Sequence, residues 1–167
     1  MAGWSTADLK DQTGRRVTIT GANSGLGKEI ALALGAAGAE VTLACRNQET
    51  ARQVAEQIGP NATVAQLDLA DLDSVRRFAD DFGGADVLIN NAGVMAVPLR
   101  RTADGFEMQI GTNFLGHFAL TGLLLDQVSE RVVSMSSIMH RFARLNVDDL
   151  NWQRRRYNRW IAYSDSK

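Results

Sequence analysis

Tyr163 and Lys167 stand four residues apart in Tyr163-Ser164-Asp165-Ser166-Lys167, at the end of the 167-residue sequence. On a helix that spacing places both side chains on one face. An ammonium fixed beside a phenol stabilises the phenolate, so the hydroxyl can give and take a proton near neutral pH. A second group of residues suits another task. Thr20-Gly21-Ala22-Asn23-Ser24-Gly25-Leu26-Gly27 follows an apolar run and opens a helical one. Gly21 permits the tight turn, Gly25 lets the backbone approach a pyrophosphate, and Gly27 lets the helix pack close to a sheet. The loop residues Asn23, Ser24 and Leu26 then present backbone N–H groups, and the positive end of the helix dipole, to phosphate oxygens.

Alternating elements must hold these groups. Short β-branched runs at 16–20, 40–45, 63–67, 86–90 and 131–135 read as strands. Helical patterns lie between them at 25–37, 48–58, 72–82 and 103–125, with a further helix opening at 160. Gly38, Gly59-Pro60 and Gly83-Gly84 punctuate the helices. Apolar strands alternating with helices predict an α/β fold, a doubly wound parallel sheet of Rossmann type, in a single domain over 1–167. The stretch 110–125 is the most apolar, but it contains Asn113, His117 and Thr121. It reads as a buried helix rather than a membrane span.

Composition narrows the function classes. A net charge of −1 gives no general attraction to nucleic acid or anionic membrane. The arginines at 154–156 and 159 read as a solvated helix start. One cysteine, Cys45, excludes an internal disulfide and fits a reducing, cytoplasmic setting. Residues 1–14 carry charges and no apolar h-region, so no signal peptide and no membrane anchor are expected. No His/Cys/Asp cluster has metal-ligand spacing, and no Gly-x-Ser-x-Gly elbow marks a serine hydrolase. Trp152 and Trp160 are expected to anchor the loop 137–159.

The landmarks also fall in a familiar order. Thr20-Gly21-x-x-x-Gly25-x-Gly27, Asn90-Asn91-Ala92-Gly93, Asn113, Ser136-Ser137 and Tyr163-x-x-x-Lys167 follow one another along the chain. From residue 16 to 167 the sequence resembles the short-chain dehydrogenase/reductase superfamily. Gly25-Leu26-Gly27-Lys28-Glu29, Leu43-Ala44-Cys45-Arg46 and Asp148-Asp149-Leu150-Asn151-Trp152 are similar to its retinol-dehydrogenase-like branch. A Gly-x-x-Gly-x-x-Gly spacing, which the extended epimerase branch would want, is not present in this loop.

The resemblance implies a dinucleotide cofactor and a hydride transfer between it and a carbonyl or secondary alcohol. An acidic residue at the end of the second strand would accept from a ribose 2′-OH and select NAD. The chain has Arg46 there, suited to a 2′-phosphate, so NADP is expected, with NAD as the alternative. By resemblance, Asp68 and the neighbouring Leu69 would meet the adenine, and Asn90, Ala92 and Gly93 the adenosine ribose. A helix N-cap is the competing role for Asp68, and sheet-end hydrogen bonding for one of Asn90 and Asn91. Tyr163 would protonate the substrate oxygen, Ser137 would orient it, Lys167 would also hold the nicotinamide ribose, and Asn113 would hold a water linking Lys167 to solvent. Adjacent strand residues face opposite ways, so Ser136 would be the structural neighbour of Ser137. Family members run on past the Tyr–Lys pair and commonly form homo-oligomers. The chain is therefore expected to be the N-terminal portion of a longer protein, without the C-terminal strands. Its substrate would be a small or lipophilic molecule. The alternative is a nucleotide-binding module without catalysis.

Overall fold

The computed structural model describes Gly3 and residues 5–167. The leaderless reading of residues 1–14 falls partly on Met1, Ala2 and Trp4, which lie outside the described residues. Strands β1 (Arg16–Thr20), β2 (Glu40–Cys45), β3 (Ala62–Gln66), β4 (Ala85–Asn90) and β5 (Val128–Ser134) form one sheet in the order β3-β2-β1-β4-β5. β1 runs parallel to β2 and to β4, and β2 to β3. This is the doubly wound order, in which the chain reverses direction across the sheet after β3.

The chain divides into two compact units. The first comprises Met1–Gln66, Gly83–Asn91 and Gln127–Val133. It holds nearly all of the sheet with helices α1 (Gly25–Ala36) and α2 (Gln48–Ile58). Val17, Ile19, Val41, Leu43 and Ile89 from the strands pack with Ala31, Ala51 and Val54 from the helices. Each large side chain buried here contributes about 1.5–3 kcal/mol. α2 has the bounds expected from its sequence, because its punctuation is local. The Asn47 side chain accepts from the Thr50 amide at 3.2 Å, and Gly59 leaves the helix at φ 94°.

The second unit comprises Leu67–Phe82, Ala92–Asp126 and Ser134–Lys167. Helix α3 (Leu72–Asp80) packs against α4 (Gly116–Leu124), with Val75, Phe78, Leu120 and Leu124 buried. A π-helical segment, Ile110–Leu115, leads directly into α4. Helix α5 (Arg159–Asp165) carries Tyr163 and starts at Asn158, whose side chain accepts from the amides of Trp160 and Ile161.

The structure departs from a continuous helix over 103–125. Residues 101–107 instead make a tight turn, with an isolated antiparallel bridge between Arg101 and Glu107 and Gly105 at φ 84°. The Asp104-Gly105 pair favours that turn over a helix. The helix is then capped by Glu107, whose Oε2 accepts from the amides of Gln109 and Ile110 at 3.0 and 2.9 Å. Nor is the apolar stretch buried all round. Phe114 and Phe118 are 52% and 71% exposed, and their rings stack 6.1 Å apart on the outer face.

The loop 143–158 is fastened by charge as well as by an aromatic ring. Asp149 is nearly buried and accepts from the Gln153 amide at 2.7 Å. Arg155 lies beside it, reaches Asp165 at 3.3 Å and stacks 3.6 Å over the buried Trp152 ring. Burial pushes the Asp149 carboxyl up, but the amides of Gln153 and Arg154 and the Arg155 charge outweigh it and leave the pKa below the ordinary value. Trp160, also expected to anchor this loop, is 48% exposed. Among the described residues no helix is long and apolar enough to cross a membrane.

Candidate active site

The glycine loop occupies the end of β1 in the first unit. Gly21 and Gly25 take φ values of 66° and 53°, which glycine adopts without strain. The Gly21 amide donates to the Ala44 carbonyl at 2.9 Å, which holds the loop beside the end of β2 and Arg46. Asn23 ties the same loop to α2 through the Thr50 hydroxyl at 3.0 Å. The buried Cys45 thiol lies against the loop amides, and burial pushes its pKa up despite their hydrogen bonds.

The start of α1 differs from those of α2, α3 and α5. Asn47, Asp71 and Asn158 cap α2, α3 and α5 with their side chains, and α2 and α3 carry an acid in the first turn. Ser24 makes no side-chain cap at α1, and its first turn holds no acid. The helix dipole there is not neutralised by its own sequence, as an anion site requires. Gly27 sits in the tightest place. A Cβ added to it would lie 2.3 Å from Asn91 Nδ2 and 2.6 Å from the Gly21 carbonyl oxygen.

Asn91 does the sheet-end work. Its amide donates to Thr20 Oγ1 and its side chain to the Thr20 carbonyl, both at 2.9 Å. Asn90 is buried next to it on β4, and Arg46 is exposed just beyond β2.

In the second unit the α3 cap is Asp71, which accepts from the Asp73 amide at 2.9 Å. Asp68 lies outside the helix and accepts from the Ala70 amide, also at 2.9 Å. Capping therefore does not account for Asp68. Leu69 is buried, and its carbonyl oxygen packs against Gly116, where an added Cβ would lie 2.4 Å from it.

Tyr163, Lys167 and Asn113 come together in this unit. Lys167 Nζ lies 5.8 Å from the centroid of the Tyr163 ring, both side chains being half-buried. Burial pulls the Lys167 pKa below the usual lysine value. Gly93 lines the same spot, where an added Cβ would meet Asn113 Oδ1 at 3.1 Å and Lys167 Nζ at 3.2 Å. Asn113 is clipped to the chain after Gly93, accepting from the Val94 amide at 2.8 Å and donating to its carbonyl at 2.9 Å. Ser137 caps the 3₁₀ turn Ile138–Phe142, which packs on α5, and its Oγ accepts from the Met139 amide at 3.2 Å. Its hydroxyl proton is not used in that bond. Ser136 Oγ instead donates to the Lys167 carbonyl at 3.2 Å.

His117 lies one turn beyond Asn113 and is buried. Its Nδ1 is 3.0 Å from the Asn113 carbonyl, and a carbonyl only accepts, so Nδ1 carries the proton. Burial, and secondarily the Lys167 charge, push the imidazole down to about 4 against the hydrogen bond to Asn113. An unfolded imidazole takes its proton near 6.5, so folding loses stability as pH falls from about 6.5 through about 4. The full loss is on the order of 3 kcal/mol. Urea midpoints measured from pH 7 to 4.5 should therefore fall more steeply for the wild type than for His117→Gln. Parallel curves would remove His117 as the cause.

The short chain dehydrogenase family model matches residues 15–147. This chain belongs to the short chain dehydrogenase family. Human retinol dehydrogenase 13 is 45% identical over 167 residues, covering 92% of this chain and 50% of that protein. Human retinol dehydrogenase 11 is 46% identical, covering 92% of this chain and 52% of that protein. These relatives place the chain in the retinol-dehydrogenase-like branch. The chain thus spans about half the length of the curated relatives it matches. A crystal structure of an uncharacterized Mycobacterium paratuberculosis protein superposes with a TM-score of 0.96 at 55% identity, covering 99% of this chain and 62% of that one. A short chain dehydrogenase from Shigella flexneri, complexed with NADP, has a TM-score of 0.69 at 26% identity, covering 93% of this chain and 67% of that one.

Ahead of Asn113, the chain carries a buried polar network that spacing did not reveal. Glu107 is fully buried, and its Oε1 accepts from the Tyr157 hydroxyl at 2.9 Å. Gln109 Nε2 donates to Tyr157 at 2.9 Å, and Gln109 Oε1 accepts from the Ala96 amide at 2.7 Å. Burial first, then the bond and charge of Glu107, push the Tyr157 phenol up to about 12. The network secures the start of the Asn113 helix to the chain around residues 96–97 and to α5 through the Arg159 carbonyl, which accepts from Gln109 at 2.9 Å. A carboxylate at the head of an apolar helical run was its one sequence signal.

Proposed function

We propose that the chain is part of an NADP-dependent oxidoreductase that reduces a carbonyl, or oxidises a secondary alcohol, of a small or lipophilic substrate. The observation that carries it is the meeting of Tyr163, Lys167 and Asn113 around Gly93. Bound NADP(H) supplies the hydride chemistry. The chain supplies charge and position. The uncapped start of α1 and the loop Gly21, Asn23, Ser24, Gly25, Leu26 and Gly27 hold the phosphates. Asn90, Ala92 and Gly93 serve the adenosine ribose, and Asp68 with the Leu69 backbone serves the adenine.

In the reductive direction the substrate oxygen gains negative charge and Tyr163 gives it a proton. The Lys167 cation stabilises the negative charge left on the phenol side. Ser137 donates its unused hydroxyl proton to the same oxygen and fixes its orientation. Both amide protons of Asn113 are committed to protein partners, so a relay water would bond to the remaining lone pair of Oδ1. The test is nicotinamide absorbance followed against a panel of ketones, aldehydes and secondary alcohols. Consumption of NADPH with a ketone or aldehyde, or formation of NADPH from NADP+ with a secondary alcohol, is expected, and neither across the panel overturns the reading in favour of a nucleotide-binding module.

Arg46 carries the choice of NADP. It stands just past the strand residue that binds Gly21, where a guanidinium can fork onto a 2′-phosphate. The Shigella relative's complex with NADP supports the same preference. Arg46→Ala is expected to weaken NADPH binding by about 10–100-fold and to leave NADH binding unchanged. Equal effects on the two cofactors in a fluorescence titration would remove the preference.

A further inference from the structure

Asn113 and Lys167 lie on different elements, and one hydroxyl joins them. Ser166 is buried at the end of α5, 4% exposed. Its Oγ donates to the Tyr163 carbonyl at 2.8 Å, which uses its single proton. A lone pair on the same oxygen accepts from Asn113 Nδ2, also at 2.8 Å. The back-bond to the preceding turn is ordinary for a serine in a helix. The acceptance from a buried carboxamide of another element is not explained by the helix.

The partners leave each group one orientation. Asn113 Nδ2 gives its second proton to the Val94 carbonyl, and Oδ1 accepts from the Val94 amide. A flipped carboxamide would set Nδ2 against that N–H and Oδ1 against that carbonyl. The Ser166 hydroxyl could then donate to Asn113 only by releasing Tyr163. Lys167 is the next residue, and its Nζ shares the Gly93 contact point with Asn113 Oδ1.

We infer that Ser166 is a positioning residue, coupling the Asn113 carboxamide to the helix end that bears Tyr163 and Lys167. It touches no reacting atom. It holds the ammonium in register with the phenol by tying both to the Val94 backbone through Asn113. This rests on the proposed proton transfer by Tyr163. Ser166→Ala would leave a buried amide proton without its acceptor and free the helix end. A misplacement of about 1 Å can cost about 100-fold in rate. The expected loss in kcat is therefore about 10–100-fold, with KM for NADPH nearly unchanged.

A double-mutant cycle in the intact protein tests the coupling. If Ser166 acts through Asn113, adding Ser166→Ala to Asn113→Ala costs little more, whereas multiplying losses would overturn the inference. A second measurement does not need turnover. Hydrogen exchange of the Asn113 side-chain amide should be slow in the wild type and faster in Ser166→Ala. Equal rates would overturn the coupling even if no carbonyl were reduced, and a wild type without turnover would overturn the proposed function alone.

Discussion

Tyr163→Phe is expected to lower turnover by about 10²–10⁴-fold, the usual contribution of a positioned general acid. The substitution keeps the ring, so the half-buried packing of Tyr163 on α5 survives. It also leaves Lys167 and Asn113 in place, since their contacts run through Gly93, Val94 and Ser166 rather than through the phenol oxygen. What disappears is the proton that, in the proposed reaction, Tyr163 gives to the substrate oxygen. Cofactor affinity should hold, because the proposed phosphate site lies in the glycine loop. Single-turnover measurement at saturating NADPH separates the two effects. A rate within about tenfold of the wild type, below the range such a group supplies, would mean that another residue is the proton donor.

Gly27→Ala should do more to the fold than any other single methyl in the glycine loop. The new Cβ would overlap Asn91 Nδ2 at 2.3 Å and the Gly21 carbonyl oxygen at 2.6 Å. Asn91 cannot simply withdraw, since its side chain and amide hold Thr20 at the end of β1. The Gly21 oxygen is backbone, in a turn fixed by its own amide bond to Ala44. Relief therefore requires α1 to move away from the loop, at a cost of about 1–3 kcal/mol, or a fall of roughly 3–10 °C in Tm. Moving α1 also displaces its uncapped amides from the proposed phosphate site, so NADPH affinity should fall at least tenfold, about 1.4 kcal/mol. Gly25→Ala is the contrast: nothing lies within 4 Å of its added Cβ, and only its φ of 53° is strained. It should cost about 1 kcal/mol. Calorimetry on both variants decides the order, and Gly25→Ala proving the more harmful would rule out close packing as the reason for Gly27.

Much of the first unit was legible because its signals are short-range. Strand β1 and helix α2 have the bounds expected from their residues, since β-branched runs, an Asn cap and a positive-φ glycine act within a few positions. The glycine loop was legible for the same reason. The failures share an opposite cause. The run from 103 to 125 looks helical throughout, yet the Asp104-Gly105 turn and the buried Glu107 cap delay the helix, and a π-helical segment interrupts its period at Asn113. Apolar periodicity also suggested a buried helix where Phe114 and Phe118 face outward.

The residues alone determined the alternation of strands and helices, the glycine turn after β1 and the pairing of Tyr163 with Lys167. Each depends on backbone preference or on a separation of a few residues, which chain chemistry dictates locally. Tertiary structure decided which asparagine ties the sheet end, that Asp71 rather than Asp68 caps α3, and that Ser166 receives the Asn113 amide across 53 positions of sequence. A hydrogen bond between distant residues forms only where packing brings donor and acceptor together, and several hydroxyls of equal chemistry compete until it does.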